Sequence, residues 1–172
     1  MAKSTAPQKP MGQTAPIIQY PLLAACGLYC GACYHYRAAF PQSRHLLEQA
    51  VRQGRQVEGY TCRGCRSDAL YIHLGCAQCE IRDCVDAKGL LHCGQCPERP
   101  CVRLQAFHQD GHVHHLSIFQ QLDDLAQKGP AQWLAEQKQK WTCTCGSPYS
   151  WYEKTCRQCG RTLPSSYPPA SG

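Results

Sequence analysis

Cysteine is the residue through which this chain could do chemistry, and its fifteen copies fall into short, patterned blocks. At the C-terminal end, Cys143-x-Cys145-Gly and Cys156-x-x-Cys159-Gly face each other across ten residues. A glycine after each pair lets the backbone turn tightly, so that its amides can point at the sulfurs. Two such knuckles supply four thiolates, the ligand set of a closed tetrahedral zinc site. The spacing therefore predicts a zinc-ribbon-like element over 141–163. In the middle of the chain a repeat recurs, Cys76-Ala-Gln-Cys79 with Cys84 and Cys93-Gly-Gln-Cys96 with Cys101, preceded by the knuckle Cys62-Arg-Gly-Cys65. These eight cysteines can make two further four-thiolate sites, with either sequential or interleaved pairing. Arg82 and Arg99 stand three residues after the second cysteine of each repeat, placed either to neutralise thiolate charge or simply to face solvent.

The first block, Cys26-Gly-Leu-Tyr-Cys30-Gly-Ala-Cys33, offers three thiols and lacks a fourth. Its spacing admits a third zinc site completed by His35, His73, His92 or a borrowed cysteine. It also admits a [4Fe-4S] cluster with one iron left open. Fifteen cysteines and one histidine would fill four tetrahedral sites, so three to four zinc ions are expected. His108, His112, His114 and His115 surround Gly111 and read as a polar loop rather than a metal or proton-transfer site. Tyr29, Tyr34 and Tyr36 crowd the first block as core packing or as a pocket wall.

Closely spaced thiols are ligands in a reducing compartment and disulfides in an oxidising one. The N-terminal segment has no apolar h-region, and no apolar run approaches the ~18 residues of a membrane span, so a cytoplasmic, non-membrane protein is expected. The formal charge of +6 hints at nucleic acid. Each four-thiolate zinc site would carry net −2, however, and the basic residues form no run, so nucleic-acid binding is possible but not favoured.

Short helices must position these knuckles. The periodicity predicts one over Gln42–Gln53 with Ser43 as N-cap, an apolar stripe of Leu46, Leu47, Ala50 and Val51, and a stop at Gly54. Another follows Cys101 and buries Val102, Leu104 and Phe107. A third spans His115–Lys128, directs Ile118, Phe119, Leu122 and Leu125 inward, and is capped by Gly129. Pro130 starts a fourth, which carries Trp133 and Leu134 and ends near Lys140. The whole reads as a small metal-stabilised α+β fold of short helices and cysteine knuckles, with the ribbon as its β part. The expected organisation is a disordered leader over 1–19, a cysteine-rich helical metal-binding domain over 20–140, the ribbon-like segment over 141–163 and a disordered tail over 164–172.

The order Cys26-Gly-Leu-Tyr-Cys30-Gly-Ala-Cys33, Cys62-x-Gly-Cys65-Arg-Ser, Cys79-Glu-Ile-Arg-Asp-Cys84 and Cys96-Pro-Glu-Arg-Pro-Cys101 is similar to an uncharacterised cysteine-rich prokaryotic family, a domain of unknown function. The likeness runs from Cys26 to Leu104. Members often carry proline where Tyr34 stands here, and the helical stretch ending in Trp141 and the ribbon resemble longer members. The resemblance implies a cysteine-ligated metal protein and supplies no catalytic residue. With closed knuckles and no acid/base constellation, the leading expectation is a zinc-stabilised binding or adaptor module that engages a protein partner. The rival is an iron–sulfur redox protein or enzyme with its cluster at Cys26, Cys30 and Cys33. A third reading, metal storage, predicts labile metal and exposed thiols.

Overall fold

The computed structural model describes residues 19–52, 62–67, 73–164 and 167, and all structural statements concern these. Helices α1 (Tyr34–Ala38) and α2 (Arg44–Arg52) follow the first cysteine block. They are followed by α3 (Leu74–Ala77), α4 (Glu80–Ala87), α5 (Val102–His108) and α6 (Ile118–Lys140). Short 3-10 turns at Cys30–Ala32, Cys93–Gln95 and Val113–His115 separate several of them.

The α+β expectation is corrected: the described residues form an essentially all-α fold without a strand. In place of the zinc-ribbon β element there are two isolated antiparallel bridges, Thr142 with Pro148 and Thr155 with Thr162. The physical reason is local. Gly146 and Gly160 turn each knuckle back at positive φ, which leaves little chain for a ladder. Pro148 has no N–H with which to extend one. Four cysteines at ribbon-like spacing therefore do not make a ribbon.

Helix α6 is the platform. Its apolar stripe puts Ile118, Leu122, Leu125 and Trp133 in the fully buried core beside Leu23 and Leu104. Gly129 breaks the helix with φ 75 and ψ 163, and Pro130 restarts it at once. That conformation costs glycine nothing and would strain any other residue. The two halves are tied across the break by Gln137 Nε2, which donates to Gln121 Oε1 at 3.1 Å; within the second half, Gln137 Oε1 in turn accepts from Trp141 Nε1 at 3.2 Å. The turn Cys93–Gln95 packs on α6.

Two sequence details are revised. Ser43 directly precedes α2 and closes a 3-10 turn, Pro41–Ser43, and its buried hydroxyl accepts from Arg37 Nη2 at 3.1 Å. Val102 is 76 % exposed, whereas Leu104 is buried as expected. Gly54 and nearly all of the expected leader lie outside the described residues, as does most of the tail. The segment after α6 folds back onto the first block: Trp151 N–H donates to the Ala32 carbonyl at 3.0 Å. Glu153 pairs with His45 Nε2 at 2.8 Å. No described helix is long and apolar enough to cross a membrane.

Candidate metal centres

The knuckle at Cys143 is closed by Gly146 N–H donating to the Cys143 carbonyl at 2.8 Å, and that at Cys156 by Gly160 N–H donating to the Cys156 carbonyl at 2.8 Å. This brings Cys143, Cys145, Cys156 and Cys159 together with all four sulfurs within 4.8 Å of one another. Sulfur pairs Cys143–Cys159 and Cys145–Cys156 are each 3.6 Å apart. Among the described residues, no other group of three or more candidate ligands converges so closely. The Cys145 amide and the three thiols around it pull the Cys143 thiol down to about 6, so a thiolate is ready at neutral pH. A backbone amide aimed at sulfur is what the glycine-flanked spacing foretold. Four thiols held this close can coordinate one metal ion, which replaces their protons with a shared cation.

Seven of the remaining cysteines line one cavity of about 590 Å³. They come from three sequence blocks: Cys26, Cys30 and Cys33; Cys62 and Cys65; Cys76 and Cys79. The first block folds over 3-10 turn geometry, and Cys65 N–H approaches Cys30 Sγ at 3.5 Å. Cys76 sits in α3 and Cys79 immediately precedes α4. Arg82 answers the question its spacing posed. Its guanidinium donates to the Cys76 and Ala77 carbonyls at 2.8 and 2.6 Å, so it holds the Cys76 knuckle by its backbone. Arg99 instead pairs with Asp123 at 2.6 Å.

Burial sets the protonation of these thiols. It pushes Cys26 and Cys30 well above the ordinary thiol range, and Cys33 and Cys76 up to about 12. Neighbouring sulfurs add to the effect and show who stands beside whom. Cys26 feels Cys65, Cys79 and Cys93; Cys30 feels Cys65 and Cys33; Cys33 feels Cys76 and Cys62. Cys93, pushed up to about 12 chiefly by burial, feels Cys101, Cys96, Cys84 and then Cys79. Buried thiols at such values stay protonated in water, so any metal entering must displace those protons.

Of the three candidate histidines, His35 and His73 both line the cavity and stack on each other with ring centroids 3.4 Å apart. His92 does not line it. It is buried with Nδ1 unbonded, and burial, with Arg66 and Arg99 nearby, lowers it to about 4. Tyr34 and Tyr36 are cavity wall, while Tyr29 is core and meets Trp133 edge-on at 6.4 Å.

The polar-loop reading of the histidine cluster missed two residues. His114 and His115 are buried, and both line the same cavity as the thiols. His115 Nδ1 shares a proton with Asp110 at 2.8 Å and its ring stacks on Phe107 at 3.6 Å. His114 lies on Trp151 at 4.2 Å with Tyr152 Oη at its Nδ1, and burial lowers it to about 3. Trp151 and Tyr152 arrive from the C-terminal knuckles, far away in sequence, so no local signal could have shown the burial.

The fold and these sites define a cysteine-rich, metal-associated helical domain. Residues 22–106 match the model of a family described as a protein of unknown function (DUF3795), a stretch that holds every cysteine except the C-terminal four. No curated protein and no solved structure matches the chain.

Proposed function

We propose that this chain is an iron–sulfur redox protein. Its clusters are held in the cysteine-lined cavity, and the C-terminal set holds a single structural zinc. The observation that carries the reading is the contrast between the two thiol sets. The C-terminal sulfurs meet at single-ion distance. The cavity gathers seven thiols around some 590 Å³, room that a bare tetrahedral ion does not use. Thiols spread about a larger volume suit a polynuclear centre, whose terminal ligands stand farther apart than those on one metal.

On this reading, Cys26, Cys30, Cys65 and Cys79 form one ligand set. Cys33, Cys62 and Cys76 form the other, with His35 or His73 as its nitrogen ligand. The first block is thus shared between two sets. Such clusters supply one-electron transfer. The chain's own residues bury the centre: Trp151, Phe107 and the neutral imidazoles of His114 and His115 lower the dielectric around it. Arg82 fixes the Cys76 knuckle. Fifteen free thiols suit the reducing cytoplasm, and the partner of an electron carrier is another redox protein. The adaptor reading explains the closed C-terminal set but leaves the cavity without a use.

Anaerobic purification followed by iron and sulfide analysis and a visible spectrum tests the proposal. A brown protein whose broad absorption bleaches on reduction supports it. A colourless protein with zinc in the cavity overturns it.

A further inference from the structure

The cavity and the C-terminal knuckles account for all but four cysteines, and the remaining four lie together elsewhere. Cys84, Cys93, Cys96 and Cys101 do not line the cavity. Cys84 is on α4, and Lys88 closes the next turn of that helix, its N–H donating to the Cys84 carbonyl at 3.1 Å. The Lys88 side chain then reaches across to Cys96, with Nζ 3.6 Å from Sγ. This links Cys96 to the α4 segment that bears Cys84. Cys96 closes its own knuckle, its N–H donating to the Cys93 carbonyl at 3.0 Å. Cys101 caps the start of α5, which packs on α4. Cys93, the buried member, is anchored by its N–H to the Ala25 carbonyl at 2.8 Å. The thiols of Cys101, Cys96 and Cys84 are near enough for Cys93 to feel their charge, though the four sulfurs do not meet within 4.8 Å as the C-terminal set does.

We infer that Cys84, Cys93, Cys96 and Cys101 form a third, separate thiolate centre for a thiophilic metal, with Lys88 as the cation that offsets its charge. The pairing is interleaved: the repeat's first pair, Cys76 and Cys79, faces the cavity, while its trailing Cys84 joins the second repeat. Four thiols from a C-x-x-C knuckle, a helix and the residue before a helix are the ligand number that a four-thiolate centre uses. Lys88 also pairs with Glu98 at 2.6 Å, so its ammonium lies between that carboxylate and the Cys96 sulfur.

Zinc and an iron–sulfur cluster share this ligand chemistry, and the experiment separates them. Full-length protein is purified anaerobically and alkylated under native conditions, with each cysteine read by mass spectrometry before and after chelation. Cys84, Cys93, Cys96 and Cys101 should be protected together and released together, each at least about tenfold slower to react before chelation than after it. Cys84→Ser should remove one centre's metal and expose the other three cysteines, while Cys30 and Cys145 stay protected. Loss of zinc alone assigns an ion, and loss of iron with colour assigns a cluster. The inference is overturned if any one of the four reacts freely while the other three remain protected. It is equally overturned if Cys84→Ser leaves metal content unchanged or exposes the cavity thiols instead. The alkylation pattern of the unsubstituted chain decides the matter even if the serine variant does not fold.

Discussion

Gly64→Ala perturbs the cavity wall at a close backbone approach. Gly64 sits between Cys62 and Cys65 at φ +108, and a methyl group there would lie 2.6 Å from the Pro21 carbonyl oxygen. Two costs add. Forcing an L-residue to positive φ costs roughly 1–2 kcal/mol. Overpacking against a neighbour costs roughly 1–3 kcal/mol more, and here the neighbour is backbone and cannot rotate away. The variant should lose about 2–5 kcal/mol. Gly89→Ala is the matched control: φ is +64, but nothing lies within 4 Å of the added methyl, so only the conformational term of about 1–2 kcal/mol remains. In thermal denaturation of the metal-loaded protein, the extra cost should place the Gly64→Ala midpoint about 2–12 °C below that of Gly89→Ala. Because the shift drags Cys65 from Cys30, metal retention should fall with it. Equal midpoints for the two variants would refute the claim that the Cys62–Cys65 knuckle is pressed against the Pro21 backbone.

Arg82→Met should cost about 2–3 kcal/mol, because two charge-assisted bonds to the Cys76 and Ala77 carbonyls are lost. Lysine should not restore the loss, since its single ammonium cannot span both carbonyls; denaturation curves of the two variants check this. In metal-stripped protein, Cys143 should be alkylated first, its rate rising as the pH climbs through about 6, while Cys33 and Cys76, up at about 12, stay slow at pH 8. Cys143 is held below the ordinary thiol value of 9.0, so its contribution to the metal-free fold is fully present above that value and is lost as the pH falls through about 6. Uniform alkylation across the cysteines would contradict both statements.

Local signals carried much of the helical framework. The stripe Ile118, Leu122, Leu125 with Gly129 and Pro130 predicts the break in α6 and its C-terminal end, since period, cap and N1 proline all agree, but the helix starts at Ile118 rather than His115, which belongs to a separate 3-10 turn. The C-terminal ligand set was equally legible, because both pairs lie within one short segment. Its β character was not: cysteine spacing specifies where turns fall, and nothing in it specifies a ladder on either side. The cavity was invisible for a different reason. It is assembled from three cysteine blocks and from Trp151, which arrives from the C-terminal segment. Contacts of that range leave no periodicity to read. The same holds for His114 and His115, polar by composition and buried by what folds over them.

Metal content per chain, measured by elemental analysis on anaerobically purified wild type, Cys65→Ser and Cys156→Ser, tests the account most directly. Several metal atoms per chain are expected, with iron lost in Cys65→Ser and a single zinc lost in Cys156→Ser, each loss leaving the other metal in place. One metal atom per chain, removed by Cys156→Ser and untouched by Cys65→Ser, would contradict it.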